Sequence, residues 1–599
     1  MEKFALPTQV VRFGHFELDL RAGELRKQGA RTKLQEQPFQ VLAMLLERPN
    51  QLVTREELRN KLWPADTFVD FDHSLNRAIN KLREALGDSA DAPQFIETLP
   101  KRGYRFVALL KDTTPEIEKF RGPLDSILVF PFEIQSFDPD SEYLAVGIPG
   151  SVVHSLSQIP GLRVISWRNS ANEASQKKDP LIVARNLGVK TVLIGRLWQR
   201  SGKLRLHVDL LETTNGEEIW GGQYDREVAE LFVVQDDISR EVSQKLRIKM
   251  AGADESRLTK RYTDNIDAYQ LYVRARRWCE RRSNEGYKRA VEHLTRAVEM
   301  DPNYALAYAE LAQCFSLPCW YGSANPHLTC PKARAHALRA LELDQYLAEG
   351  HEVLATVLQY YDWNWLGAEK EFQLAIELNP NYAAAHYHYS YLLSEQGRFD
   401  EAICKATRAL SRDPMSPLLN AGLAFILVHA RKFDLSVKQC LTAMDVDPNM
   451  TLSYISLGTA YEQLGKCSEA VEVYEKGIAL GGAVALQKAF LGHTYGTMGD
   501  HGRARKALHE LQELAKTSYV PLFTSALIHE GLGEVDLAIK ALQVACENRD
   551  AMLIYIKVWP QLDKLRGDPR FQEVERRVGC DPKPDESLKM GNTFSGTLR

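Results

Sequence analysis

Apolar residues recur along this chain in three rhythms, and the rhythm changes twice. Residues 10 to 35 alternate over short distances, in VVRFGHFELDL, AGELRKQG and ARTKL, with glycines between them. Such runs predict an antiparallel sheet of short strands. The period then lengthens. PFQVLAMLLERP predicts a helix with Pro38 in its first turn and Pro49 beyond its end. LVTREELRNKLW predicts a second, opened by Thr54 and Glu57 as a T-x-x-E capping box. In DHSLNRAINKLREALGD, Leu75, Ile79, Leu82 and Leu86 form the apolar stripe of a third helix, with Asp72 as its N-cap. His73, Asn76, Arg77, Asn80 and Lys81 fall on the opposite side. FIETLPKRGYRFVA follows as a hairpin that places Lys101, Arg102 and Arg105 around a Gly103 turn.

Residues 111 to 123, KDTTPEIEKFRGP, are polar with two prolines and predict a linker. Strand and helix patterns then take turns: SILVFPF, YLAVGIPGSVVHSLSQI, LRVISWR, DPLIVARNLGV and TVLIGRLW. KLRLHVDLLE with EEIWGGQYDRE predicts a hairpin, and VVQDDISREVSQKLRIKM a closing helix. That order makes residues 124–250 a small α/β domain, followed by a linker helix over 251–266.

From 267 the chain repeats. Pro380, Pro414 and Pro448 stand 34 residues apart, and the register runs on to Gly482, Lys516 and Asp550. Gly397, Gly465, Gly499 and Gly533 mark one phase, with Arg431 replacing a glycine; Ala402, Ser436, Ala470, Ala504 and Ala538 mark another. Residues 449–482 carry nearly the whole tetratricopeptide pattern. About eight copies are expected over 267–550, with an extra segment near CWYGSANPHLTCP, a helical cap over 551–580 and a disordered tail over 581–599. A solenoid of this kind presents a concave surface for a protein or peptide partner.

Composition changes this picture little. With 44% hydrophobic and 26% charged residues, 599 residues suit a soluble, globular, multidomain chain. Net charge is −4, and residues 1–110 hold 17 Lys and Arg against 15 Asp and Glu, so any affinity for DNA rests on local clustering. No run reaches 18 apolar residues, the longest being PLLNAGLAFILVHA, and the N-terminus lacks the apolar core of a signal peptide. Nine cysteines stand singly, none before Cys279. Reduced thiols, a cytoplasmic location and no membrane association are expected.

The candidate chemistry is nucleic-acid recognition. Asn76, Arg77, Asn80 and His73 can hydrogen-bond base edges, while Lys81, Arg83, Lys101, Arg102 and Arg105 suit phosphate. Cys314, Cys319 and Cys330, with His327 and His336, match no usual zinc spacing and are expected as buried thiols. The aromatic runs YYDWNW and HYHYSY could line a ligand groove; repeat phase accounts for His386 and Tyr389 but less for Tyr387 and Tyr391. GIPG at 147–150 lacks the rest of a phosphate loop and reads as a loop or helix start. No G-x-S-x-G or H-E-x-x-H occurs, so no enzyme activity, cofactor or metal is expected.

Residues 10 to 108 resemble the C-terminal effector domain of OmpR/PhoB-type response regulators, chiefly through the stretch Ile79 to Asp88 and the IETLPKRGYRF wing. The resemblance implies a winged helix-turn-helix over 1–110. It makes the helix from His73 to Leu86 the reader of the major groove and residues 63–71 a contact for RNA polymerase, and it implies dimers on double-stranded DNA. No phospho-acceptor receiver domain precedes it, so phosphorylation in cis is not expected. Residues 124–250 resemble the N-terminal domain of TolB through VFPF, VLIGRLW and the hairpin. The whole order resembles CadC-like one-component regulators without the membrane span. The expectation is a multidomain α+β protein acting as a sequence-specific transcriptional regulator, its solenoid binding a partner or signal. Two alternatives stay open: a tetratricopeptide scaffold using its winged helix for protein contacts, and an enzyme within the α/β module, which resembles modules found with nucleotidyl cyclases.

Overall fold

The computed structural model describes residues 10–13, 16–19, 24–27, 30–32, 34–47, 52–62, 71–89, 93, 95–99, 102–107, 110–111, 124–135, 142–159, 161–167, 179–200, 202–246, 260–481 and 483–580. Pro49, Lys101, the loop 63–70 and the tail after 580 lie outside the described residues, as does most of the linker 111–123. Two compact units divide the chain, Met1–Arg121 and Gly122–Arg599.

In the first unit, β1 (Val10–Phe13), β2 (Phe16–Asp19), β3 (Glu24–Lys27) and β4 (Ala30–Thr32) form an antiparallel meander. Helix α1 (Glu36–Glu47) follows, then the short β5 (Leu52–Thr54) and α2 (Arg55–Leu62). The third helix, α3, runs Phe71–Leu86, so Asp72 lies within its first turn rather than ahead of it. Strands β6 (Ile96–Leu99) and β7 (Gly103–Phe106) complete a second sheet of order β5-β7-β6. A last strand, β8 (Leu110–Lys111), returns to pair with β1.

Neither β5 nor β8 announces itself in the sequence, being only three and two residues long. Leu75, Ile79, Leu82 and Leu86 are all buried, and they pack with Leu42, Leu45, Leu58 and Phe106. The capping box forms: Thr54 N–H donates to Glu57 Oε2 at 2.8 Å, and Glu57 N–H to Thr54 Oγ1 at 3.2 Å. Gly103 is not the hairpin turn. It is the first residue of β7, where a Cβ would sit 2.1 Å from the Val53 carbonyl oxygen. Only glycine lets β5 approach there.

The second unit opens with a sheet of order β11-β9-β12-β13-β14. These strands are β9 (Ser126–Val129), β11 (Arg163–Ser166), β12 (Thr191–Arg200), β13 (Lys203–Glu212) and β14 (Glu218–Glu227), with β10 (Glu133–Ile134) added on β12. Helices α4 (Glu142–Ser157) and α6 (Leu231–Lys245) cover one face, and α5 (Pro180–Asn186) the other. GIPG falls inside α4, so it is neither loop nor helix start. Gly147 leaves room for the Tyr269 hydroxyl, which a Cβ would meet at 3.0 Å. That buried hydroxyl bonds Ser151 Oγ and Gln235 Nε2, both at 2.9 Å. Because Tyr269 belongs to the first repeat helix, the α/β module and the repeats share a core.

Eight antiparallel helix pairs follow, from Ile266–Cys279 with Asn284–Met300 to Phe523–Gly531 with Val535–Glu547. Residues 260–265 are not helical, so the described part of the expected linker helix is absent. Small residues bring the helices together: Ala402, Ser436, Ala470, Ala504 and Ala538 are all fully buried. The turn inside each pair carries one left-handed residue. Glycine takes it at Gly322, Gly397, Gly465, Gly499 and Gly533, whereas Arg282, Trp363 and Arg431 take it at φ of 47°, 55° and 59°. A side chain in that conformation costs ~1–2 kcal/mol, so these three positions hold strain that surrounding contacts must offset.

The first helices of the fourth and fifth pairs are buried on every side over most of their length. Residues Ala385 to Glu395 and Leu419 to His429 are buried without interruption, whereas the paired second helices bury only Ala402, Ala406, Ala409 and Ser436, Cys440, Ala443. An open solenoid would expose one face of its first helices. Here residues 551–578 fill that face, as two 3-10 turns (Ala551–Tyr555 and Pro560–Leu565) and a helix (Pro569–Val578). Trp559 is ringed by Phe425, His429, Phe490, Phe523 and Tyr555. Trp320 donates to the Tyr555 hydroxyl at 2.6 Å, and Trp365 to the Val578 carbonyl at 2.9 Å. Trp363 lies under the Arg549 guanidinium, and Arg431 donates to the Val558 carbonyl and both Asp563 oxygens. Of the three strained turn residues, Arg431 thus holds the C-terminal segment and Trp363 the arginine just ahead of it.

Under the same segment His493 stands between two buried carboxylates, Glu462 and Glu530, each at 2.6 Å. Gln561 donates to the other Glu462 oxygen at 2.9 Å, and Lys564 lies 3.6 Å from Glu530. Burial alone would lower the imidazole pKa, but the two carboxylates outweigh it and hold the pKa up at about 9. A raised histidine pKa stabilises the fold fully below the unfolded value of about 6.5 and loses that contribution as pH climbs through about 9. Unfolding midpoints of His493→Gln should therefore vary less than wild type between those limits; parallel pH profiles would refute the assignment. Among the described residues, no helix is long and apolar enough to cross a membrane.

Candidate nucleic-acid interface

Helix α3 presents two faces because its apolar residues recur at helical spacing while amides and cations fill the gaps. His73, Asn76, Arg77 and Asn80 are exposed on the face opposite the core, and Lys81 is half-buried at its edge. The hairpin β6–β7 stands beside this helix, joined to it by specific polar contacts. Asn76 Oδ1 accepts from the Tyr104 hydroxyl at 3.0 Å and from Arg55 Nη2 at 3.3 Å. Arg55 also donates to the Tyr104 hydroxyl at 3.0 Å. One side chain from each of α2, α3 and β7 therefore meets at a single point, which sets the angle between helix and wing.

Bidentate pairing of an asparagine with adenine uses the amide oxygen and nitrogen together. With its oxygen already holding two donors, Asn76 acts here as a brace, while Arg77 and Asn80 on the same helix are exposed. Lys81 Nζ donates to Gln35 Oε1 at 2.6 Å, which ties it to the start of α1.

Arg83 departs from the expectation of a phosphate contact. It is only 8% exposed, and its Nη2 donates to the Ile96 carbonyl at 2.9 Å and to Thr98 Oγ1 at 2.8 Å. Its position one turn from Ile79 and beside Leu82 turns it under the wing, where it fastens α3 to β6. Arg83→Met should cost the first unit ~1–3 kcal/mol by leaving that carbonyl without a donor. Urea unfolding measures it, and unchanged stability with lost DNA retention would restore the phosphate role.

On the wing, Arg102 is exposed, while Arg105 pairs across the hairpin with Glu97 at 2.8 Å through Nε. That pairing cancels much of the charge Arg105 would offer a phosphate. Arg55 escaped the sequence reading, yet a signal was present. A cation at the first position of a helix opposes the helix dipole, and only tertiary partners justify it. Arg59, exposed and set over the Phe71 ring at 5.7 Å, lies on the same helix.

The cysteine and histidine candidates do not converge. Cys319 and Cys330 approach to 3.4 Å, His327 bonds the Tyr361 hydroxyl, and His336 stacks on Phe315. Cys314 instead lies with Cys279 and Glu310, their ligand atoms within 4.8 Å of one another. The Cys279–Cys314 hydrogen bond and burial push the Cys279 thiol up, and burial raises Cys314 as well. Both stay protonated thiols, in keeping with their packing between helices. Tyr387 and Tyr391, which repeat phase did not explain, bond each other at 3.2 Å beside Trp320. Tyr391 stacks on Phe425, which in turn meets Tyr555 and Trp559. The groove these aromatics line is filled by the chain itself.

Residues 29–106 match the family described as "Transcriptional regulatory protein, C terminal", and residues 371–403 and 452–480 each match a tetratricopeptide repeat family. The chain thus carries an OmpR/PhoB-type DNA-binding domain ahead of tetratricopeptide repeats. Among curated proteins it is 22% identical over 479 residues to "Transcriptional regulator HilA" of Salmonella typhimurium, covering 77% of this chain and 82% of that one. It is 43% identical over 75 residues to the "Cholera toxin homolog transcriptional activator" of Vibrio parahaemolyticus, 12% of this chain and 26% of that one. It is 32% identical over 238 residues to "Putative adenylate cyclase 3" of Rhizobium meliloti (strain 1021), 39% of this chain; the match spans only 40% of that relative.

Proposed function

We propose that this protein is a sequence-specific transcriptional regulator whose helix α3 enters the major groove and reads bases through Arg77, Asn80 and His73. Arg102 and Lys101 on the wing would hold the flanking phosphates, with Arg55 and Lys81 at the edges of the helix. The observation that carries this reading is the polar, exposed face of α3, locked at a set angle to the wing by the Asn76–Tyr104–Arg55 contact. Arg105 and Asn76 would act mainly by shaping that surface. Contact with RNA polymerase through residues 63–71 and pairing of two copies on tandem half-sites belong to the same proposal.

The second unit would receive the input, in a cytoplasmic setting and without catalysis of its own. A protein partner of the repeats would have to displace residues 551–578 or use the outer second helices, since the inner face is already covered. Selecting DNA from a random pool with the full chain tests the reading. An enriched motif, bound with a steep salt dependence, supports it; recovery of no motif and no salt-dependent retention would leave the scaffold alternative.

A further inference from the structure

Helix Ala305–Trp320 closes on Cys319, and its partner Pro326–Leu343 carries Cys330 in its second turn, across the connection 321–325. This is the extra segment that interrupts the repeat spacing, so repeat packing does not by itself call for two thiols here. The sulfurs lie 3.4 Å apart, with Cys330 Sγ donating to Cys319 Sγ. Both residues are 1% exposed, yet their cover is thin. Cys319 Sγ lies 3.0 Å from Thr329 Oγ1 and 3.7 Å from the Ala324 carbonyl. Ala324 and Thr329 are themselves half-buried, and His327 and Leu328 between them are exposed.

The hydrogen bond from Cys330, together with the Thr329 contact, holds the Cys319 thiol below its ordinary pKa in spite of burial. Cys279 and Cys314 form the contrasting case: Glu310 stands beside them, and both thiols are pushed up. A sulfur that favours its thiolate, with a second thiol in contact, is arranged to close to a disulfide. The pair also sits at the root of the C-terminal segment. Trp320, next to Cys319, donates to the Tyr555 hydroxyl at 2.6 Å. Gly322 of the same connection leaves room for Pro521, whose ring a Cβ would meet at 2.8 Å. Two residues on, Phe523 N–H donates to Asp550 at 3.1 Å. Asp550 also takes the Met552 N–H at 3.0 Å, which caps the first turn of the segment.

We propose that Cys319 and Cys330 are a redox-active dithiol, a modification site that hydrogen peroxide converts reversibly to a disulfide. The Cys319 thiolate attacks one peroxide oxygen and the O–O bond breaks. Cys319 is left as a sulfenic acid, and the departing hydroxide takes up the proton that Cys319 released, giving water. Cys330 Sγ then attacks Cys319 Sγ and the S–O bond breaks; this second hydroxide takes the Cys330 proton. Two thiols have lost two hydrogens, and the peroxide has been reduced to two waters. A dithiol reductant restores both thiols by exchange. The bond ties the end of one helix to the start of the next, which fixes Trp320 and Gly322 against the C-terminal segment and the last repeat. Oxidation therefore strengthens the closure of the groove. The inference goes beyond the DNA reading and does not depend on it.

The reduced full chain is exposed to graded hydrogen peroxide, free thiols are alkylated, and peptides are mapped by mass spectrometry with and without dithiothreitol. A dithiothreitol-sensitive link between the Cys319 and Cys330 peptides is expected, at lower peroxide than oxidation of Cys279 or Cys314. Cys330→Ser removes the resolving thiol, so Cys319 should stop at the sulfenic acid and be trapped by dimedone. Cys319→Ser should leave Cys330 reduced. No variant is needed to overturn the site. If both thiols are still alkylated at peroxide concentrations that oxidise the exposed Cys404, they are packed side chains only. The melting midpoint of the second unit should rise by about 2–4 °C on oxidation and return with dithiothreitol, with no such change in Cys319→Ser. A disulfide that forms without moving that midpoint overturns the link to the C-terminal segment.

Discussion

Trp559→Ala should lower the stability of the second unit by ~3–5 kcal/mol, the range for truncating a fully buried large aromatic. Trp559 is 2% exposed and touches five aromatic rings drawn from three repeats and its own segment. Its loss would open a void at the junction that joins those repeats to residues 551–565. A repeat array otherwise holds itself together only through neighbours, so this segment couples distant repeats and makes their unfolding cooperative. Urea unfolding followed by tryptophan fluorescence and by circular dichroism should show the two transitions separating in the variant. A shift below about 1 kcal/mol, with a single transition retained, is what surface substitutions give and would mean the segment rests on the groove without stabilising it.

Replacing both Arg77 and Asn80 by alanine should abolish discrimination between a selected DNA site and random sequence. Each good base contact contributes ~1–3 kcal/mol, so the pair accounts for roughly one to four decades of specificity. The two positions are exposed and one turn apart on α3, and their loss leaves the core stripe of Leu75, Ile79, Leu82 and Leu86 intact. Fold and non-specific affinity should therefore survive. Arg102→Ala should behave in the opposite way, weakening all sequences evenly and flattening the salt dependence by about one unit of slope. Should the double variant keep its sequence preference, base reading lies elsewhere, and Arg55 and His73 become the next residues to replace.

Periodicity made much of this architecture legible. The stripe of α3 and the box at Thr54 and Glu57 follow from local spacing, and the structure places both as expected. The repeats were readable for a related reason: a fixed register of small residues permits only one way of stacking helices. Failures occurred where a residue's role depends on a partner distant in sequence. Arg83 looks like any basic residue on a helix until β6 brings the Ile96 carbonyl to it. Gly103 follows the cationic run as a turn residue would, but its lack of a side chain serves the approach of β5. GIPG reads as a loop or helix start, yet it lies in the middle of α4.

Spacing of apolar, small and capping residues, which acts over one or two helical turns, settled by itself what kind of repeat the chain carries and which side of α3 is polar. Who occupies the inner face of the repeats was decided only in three dimensions. Trp559 reaches Phe425 and Phe490 because a superhelix brings them around a common axis, and no local pattern encodes that axis. The same closure brings Arg431 to the Val558 carbonyl and to Asp563, 127 and 132 residues further along a chain that shows no reason to join them.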